Sequence, residues 1–357
     1  MKQYLAIESS CDETSCAVIC EDGAVLSNII SSQVDLHARY GGVVPELASR
    51  AHLRNILPVC DEALLTAGKT MQDIDAISVT RGPGLVGSLL AGFETAKTLG
   101  YVHQRPVYAV HHVAAHVHSV FIRTETPFLP EGFAYPYLAL AVSGGHSSLI
   151  LAQAPDRMST IGRTRDDAAG EAYDKVAKLL GLPYPGGPVI DRLAASGNPQ
   201  AFSFTKPRFK EGEFDFSFSG IKAAVARLVE KEGRDRFLQG SAEDNPLVRD
   251  LAASFQSAMV DILLDTAQRA LRRYHLKRLA VVGGVACNRG LRAAAQERFK
   301  HMAVVFPPPS LCTDNAAMIG ALAAAMGEAA PRVTLDMNVD ANLKLEPAVH
   351  QIPGINR

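Results

Sequence analysis

Tyr4-Leu5-Ala6-Ile7-Glu8-Ser9-Ser10-Cys11-Asp12-Glu13-Thr14-Ser15-Cys16-Ala17-Val18-Ile19-Cys20 reads as two apolar runs around a small, polar, acidic turn. That is the pattern of a β-hairpin. Tyr137-Leu138-Ala139-Leu140-Ala141-Val142-Ser143-Gly144-Gly145-His146-Ser147-Ser148-Leu149-Ile150-Leu151-Ala152 repeats the layout with glycines in the turn. After each hairpin the chain alternates helix and strand patterns, so the recurrence predicts a duplicated α/β architecture with sheets covered by helices.

In the first half, Pro45 opens a helix to about Ala67, residues 74–80 form a strand, and Arg81–Gly84 turn into a helix over 85–100. Val107–Val110 is a short strand. In the second half, helices are expected over 167–180, 217–232 and 246–275, with Pro185-Gly186-Gly187-Pro188 breaking the chain before a further helix. Leu279–Val282, Gly283-Gly284 and 288–299 make a strand-turn-helix unit. Val304–Phe306 is a strand, Pro307–Pro309 a rigid link, and Thr313–Gly327 a final Ala-rich helix. The Pro- and Gly-containing stretch 127–136 marks a domain boundary, and the tail after Gly327 shows no strong periodicity.

The charge balance bounds the function. With 36 Lys+Arg against 37 Asp+Glu in 357 residues, the net charge is −1, which excludes a protein that grips nucleic acid by bulk charge. No window reaches the roughly 18 apolar residues of a membrane span, and Met1-Lys2-Gln3 leads straight into a strand rather than a signal peptide. Six cysteines without a CxxC pair read as reduced thiols of a soluble, cytoplasmic protein.

Four of eleven histidines fall in His111-His112-Val113-Ala114-Ala115-His116-Val117-His118. His112 and His116 are an i, i+4 pair, which on a helix puts both imidazoles on one face, close enough to share an ion. The competing reading is a helix start with incidental histidines. A zinc peptidase would need Glu directly after its first His, and position 113 is Val, so a peptidase is disfavoured. A third ligand would be a carboxylate or His from elsewhere. Asp314 is a candidate, although at the start of the final helix plain N-capping is the stronger reading.

Ser143-Gly144-Gly145-His146, Arg81-Gly82-Pro83-Gly84 and Gly283-Gly284 are turns that can present backbone N–H groups to an anion, though each alone is more often a tight turn. P-loop and Rossmann motifs are missing from the expected contexts. Asp174 and Asp191 are candidates for ribose hydroxyls, while Asp166, Asp167 and Glu171 fit negative charge at a helix start. The basic runs 269–278 and 206–210 (Lys206, Arg208, Lys210) read as a helix C-terminus and a solvated loop, or as a path for an RNA backbone.

Taken together, Ile7–Thr14, the His112/His116 pair, Val142–His146, Asp166–Glu171, Tyr184–Pro188, Phe216–Gly220, Gly283–Asn288 and Thr313–Ile319 resemble the bacterial tRNA N6-adenosine threonylcarbamoyltransferase (TsaD) family of the actin-like ATPase (ASKHA) superfold. The resemblance runs from about residue 4 to 327. It implies a two-lobed α/β fold with duplicated mixed-sheet domains and an interlobe active-site cleft, lobe I being 1–130 plus 310–345 and lobe II 131–309. It implies His112, His116 and Asp314 as ligands of one divalent metal, Fe2+ in this family's descriptions, with Zn or Mg as alternatives. Ala141, Val142, Ser143, Gly144, Gly145, Asp174, Gly187, Asp191 and Asn288 would bind threonylcarbamoyl-AMP, with ATP or ADP a second nucleotide for the same cleft. Asp12 or Glu13, in the first hairpin turn, would accept the N6 proton. The implied partners are tRNA, a same-fold paralogue (TsaB-like), a small P-loop ATPase (TsaE-like) and a separate threonylcarbamoyl-AMP synthase, with no membrane. One departure stands in the histidine segment, where the family often has Asn before the first ligand and an acid ahead of the second; here these positions are His111 and Ala115. An ATPase scaffold of an assembly complex is the rival reading, since a fold alone does not fix function.

Overall fold

The computed structural model describes residues 1–345 apart from 208, 210 and 211. Arg208 and Lys210 of the second basic run therefore lie outside the described residues.

The first hairpin forms as β1 (Gln3–Glu8) and β2 (Glu13–Cys20), antiparallel and in register from Gln3 opposite Cys20 to Glu8 opposite Ser15. β3 (Val25–Ser32) extends it antiparallel to β2, while β4 (Ala76–Gly82) and β5 (Val107–His111) add parallel strands on the other side. The order is β3-β2-β1-β4-β5. The second sheet contains β6 (Tyr137–Val142), β7 (Ser147–Ala154), β8 (Arg157–Arg163), β9 (Arg278–Val282) and β10 (Ala303–Val305), in the order β10-β9-β6-β7-β8. Numbered within their own halves, both sheets read 3-2-1-4-5, so the echo between the hairpins extends to whole sheets.

β3 and β8 escaped the sequence reading, and for one reason. Both are edge strands with only partly buried, polar-rich faces, and so lack the apolar run that marked their neighbours. The central strands are buried on both faces because helices cover them.

Two compact units divide the described residues, one of 1–131, 152–158 and 307–345, the other containing Gly132–Leu151 and Ser159–Phe306. In the first, Leu5, Ile7, Val18, Ile56, Ile77 and Phe93 centre the core beneath the helices Pro45–Thr66 and Val86–Val102. The Ala-rich helix Ala316–Met326 lies directly on β1 and β2. A Cβ at Gly320 would sit 2.3 Å from Ile19 Cγ2 and 3.1 Å from Ala6 Cβ, so only a row of the smallest residues permits this approach. Residues 331–333 of the aperiodic tail are held through their backbone: Val333 N–H donates to Val107 C=O, and Ala109 N–H to Pro331 C=O, covering the outer edge of β5.

Several expected boundaries move. The final helix starts at Ala316, three residues later than Thr313. Gly186, Gly187 and Pro188 are the first turn of the helix Gly186–Ala194 rather than a break before it, and Pro309 begins a short helix to Cys312. Asp166 and Asp167 precede the helix Ala169–Leu179, leaving Glu171 alone in its first turn.

Candidate functional site

β5 runs straight into the helix His112–His118, all seven residues of which are buried. The four clustered histidines then separate by role. His111 caps the helix: its Nδ1 accepts from Val113 and Ala114 N–H, and its Nε2 reaches the Leu343 carbonyl oxygen at 3.2 Å. The imidazole thus does what an Asn side chain would do at that position. Burial pushes His118 down to about 4, so it is a neutral core residue, its ring 5.2 Å from Phe121. His112 and His116 share one face, with rings 4.8 Å apart and nearly perpendicular.

Asp314 is not the helix cap that the sequence favoured. Asn315 takes that position, its side chain accepting from Met318 N–H. Ala316 and Ala317 N–H donate to Ser15 Oγ and Asn28 Oδ1, so the sheet itself fixes the helix start. With the helix N-terminus satisfied, the Asp314 carboxylate turns to the histidines, 3.0 Å from His116 Nε2 and 3.6 Å from His112 Nε2. One ligand atom from each residue lies within 4.8 Å of the others. Two imidazole nitrogens and a carboxylate, nearly enclosed, fit a divalent transition ion.

Glu8, which the sequence reading passed over, backs this cluster. It is completely buried and contacts His112 Nδ1 at 3.1 Å. Burial works against a charged His112, but the carboxylates of Asp314 and Glu8 overcome it and bring the group up to about 9. A signal existed: an acid closing an otherwise apolar, two-sided strand has to be paired. Asp12 and Glu13 occupy the β1–β2 turn region, Glu13 being the first residue of β2. Burial, helped by Asp12 and Asp314 and opposed by a 2.9 Å hydrogen bond from Ser32 Oγ, pushes Glu13 up to about 7.

The second unit contains a cavity of about 550 Å³ lined by Gly144, Asp174, Gly187, Asp191, Asn288 and Arg289, among others. The four residues beyond the 141–145 segment that were expected to bind the adenylate therefore line one cavity. Of that segment only Gly144 lines the space; Ala141 and Val142 are buried in β6. Ser143 is spent on the turn, its N–H donating to the His146 carbonyl and its own carbonyl accepting from Gly170 N–H. Asp174 Oδ1 accepts from Gly186 N–H, tying the middle of the helix Ala169–Leu179 to the start of the helix Gly186–Ala194. Gln256, on the helix Pro246–Arg273, had no sequence signal yet bridges two predicted residues. It donates to Asp191 Oδ1 at 3.1 Å and accepts from Asn288 Nδ2 at 2.6 Å. Arg289 completes the hold on Asp191 at 2.8 Å.

The first basic run does end a helix, with Arg272 and Arg273 in its last turn, and Lys206 of the second pairs with Asp261 and Asp265. No helix among the described residues is long and apolar enough to cross a membrane.

Comparison with known proteins agrees with the geometry. The family model for tRNA N6-adenosine threonylcarbamoyltransferase matches residues 24–321. A curated protein of that description from Syntrophotalea carbinolica is 49% identical over 346 residues, covering 96% of this chain and 97% of its own. One from Halalkalibacterium halodurans is 46% identical, covering 96% of each. Among solved structures, component A of the Acidaminococcus fermentans (R)-2-hydroxyglutaryl-CoA dehydratase matches with a TM-score of 0.52 at 15% identity, over 91% of this chain and 97% of its own. A full-length HypF matches with a TM-score of 0.57 at 12% identity, over 91% of this chain and 46% of its own. At such identities these two speak for the fold alone. Its paired five-stranded mixed sheets give the chain the actin-like ATPase fold, and its sequence places it in the tRNA N6-adenosine threonylcarbamoyltransferase family of acyl-transferring enzymes.

Proposed function

We propose that this chain transfers the threonylcarbamoyl group from threonylcarbamoyl-AMP to N6 of the adenosine 3′ to the anticodon, in tRNAs reading ANN codons. The products are N6-threonylcarbamoyladenosine and AMP. The observation that carries this reading is 49% identity across 97% of the length of a curated transferase of that description.

In the reaction N6 attacks the carbamoyl carbon, the bond from that carbon to the phosphate oxygen breaks, and AMP leaves with the electron pair. The N6 lone pair is delocalised into the ring, so proton removal matters. Glu13, raised to about 7, is suited to accept that proton, with Asp12 beside it as the second choice. The Gly144 N–H group and the start of the helix Gly186–Ala194, which line the cavity, are suited to the adenylate phosphate. Asp174, Gly187, Asp191 and Asn288 line the same cavity and supply the polar contacts that orient a nucleoside. A divalent metal held by His112, His116 and Asp314 would polarise the acyl oxygen or neutralise phosphate charge. The two-histidine, one-carboxylate set favours Fe2+, accommodates Zn2+, and suits the all-oxygen preference of Mg2+ least.

A same-fold paralogue, a small P-loop ATPase and a threonylcarbamoyl-AMP synthase complete the proposed cytoplasmic system. With a net charge of −1, tRNA docking is assigned to a local surface or a partner. The test supplies threonylcarbamoyl-AMP and unmodified tRNA and measures the modified nucleoside by mass spectrometry. Absence of transfer with every partner present would reject the reading; ATP hydrolysis unaffected by loss of His112 and His116 would then favour the scaffold.

A further inference from the structure

Glu8 closes β1 with no exposed surface, and its contacts converge on a single imidazole. Its Oε1 accepts the Ser10 N–H at 2.5 Å, its Oε2 accepts the Thr80 hydroxyl at 2.6 Å, and the same Oε2 lies 3.1 Å from His112 Nδ1. Ser10 Oγ also approaches that nitrogen, at 3.2 Å. The carboxylate is therefore held by donors from the β1–β2 turn and from β4 and cannot swing away from the ring.

A neutral imidazole carries one proton, and a carboxylate opposite Nδ1 draws it there, leaving the Nε2 lone pair for an ion. Nε2 is the atom that faces Asp314. His116 has no such support, since its Nδ1 is buried without a hydrogen-bond partner among the described residues. The two imidazoles are thus unequal, one fixed in its ligating form and one not. With an ion in place of a proton on Nε2, both rings are neutral, and the two negative charges of Glu8 and Asp314 are balanced by an ion of charge +2.

We propose that Glu8 is the positioning residue of the metal centre, holding His112 in the form that ligates through Nε2 and matching the site to a divalent cation. The proposal rests on the metal reading of His112, His116 and Asp314, not on transfer activity, and its test reads metal binding directly. The full chain, stripped with a chelator, is titrated with Co2+ and, without oxygen, with Fe2+, following chelator competition and the visible Co2+ bands. Glu8→Gln should bind each ion about 10- to 100-fold more weakly, with altered Co2+ bands. Near-native circular dichroism of metal-free Glu8→Gln would exclude unfolding as the cause. If that variant does not fold, Glu8→Asp keeps the charge but draws the carboxylate back, and should weaken binding severalfold. Wild-type affinity and bands in the folded variant would overturn the proposal, while transfer activity could still stand. A wild-type chain that binds neither ion would overturn it together with the metal reading.

Discussion

Glu13 connects a measurable rate to a specific buried carboxyl. Ser32 Oγ donates to its Oε1 at 2.9 Å, while Oε2 is buried without a hydrogen-bond partner among the described residues. Burial first, then the nearby Asp12 and Asp314, raise the group from 4.5 to about 7. If Glu13 takes the N6 proton, it works only when ionised. The ionised fraction is about one tenth at pH 6, half at pH 7 and nine tenths at pH 8, so the rate should climb roughly tenfold over that range. An ordinary glutamate would be ionised throughout and leave the profile flat. The assay is single turnover of preformed threonylcarbamoyl-AMP on unmodified tRNA, with partner proteins present, quenched and read by mass spectrometry. Glu13→Gln should slow the step by about 100- to 10,000-fold and abolish the pH dependence. A flat wild-type profile, or a Glu13→Gln variant that keeps the slope, would refute the assignment. The same shift bears on stability. Between pH 4.5 and about 7 the native chain retains a proton that the unfolded chain has lost. Its contribution is therefore full below pH 4.5 and lost as pH rises through about 7.

Three further outcomes follow from local geometry. Asp314→Ala should abolish divalent-ion binding with little change in thermal stability, whereas Asn315→Ala should cost about 1 kcal/mol while leaving an ion-binding chain; equilibrium dialysis and denaturant unfolding separate the two. Gly320→Ala forces a methyl to within 2.3 Å of Ile19 Cγ2 and should destabilise by about 1–3 kcal/mol in denaturant unfolding, an unchanged midpoint arguing against the close helix–sheet contact. Gln256→Leu leaves Asp191 and Asn288 without a shared partner, so it should cost about 1–3 kcal/mol and raise the KM for threonylcarbamoyl-AMP more than it lowers kcat.

Much of the site was legible because its residues lie in compact local patterns. The His112/His116 spacing announces a shared helical face, and the glycines at 144, 186 and 187 announce turns or helix starts. Asp314 was harder, because Thr313, Asp314 and Asn315 are all competent caps and nothing local chooses among them. The choice is made by Ser15 and Asn28, which meet Ala316 and Ala317 from a sheet assembled at the other end of the chain. Gln256 was invisible for a similar reason: one polar residue in a long helix has no meaning until Asp191 and Asn288 are brought to it.

By itself the sequence determined the strands that are buried on both faces, the repetition of one hairpin in two halves, and a near-neutral charge that excludes bulk attraction to RNA. These depend on hydrophobic periodicity and composition, which are properties of neighbours along the chain. Only the tertiary structure decided the two edge strands, the tail residues 331–333 laid along β5, and the division of four histidines into two candidate ligands, a cap and a core residue. Those outcomes depend on which buried polar group finds a partner. In an interior where an unpaired charge is costly, that pairing is set by side chains arriving from distant segments, as Glu8 and Asp314 arrive on either side of His112.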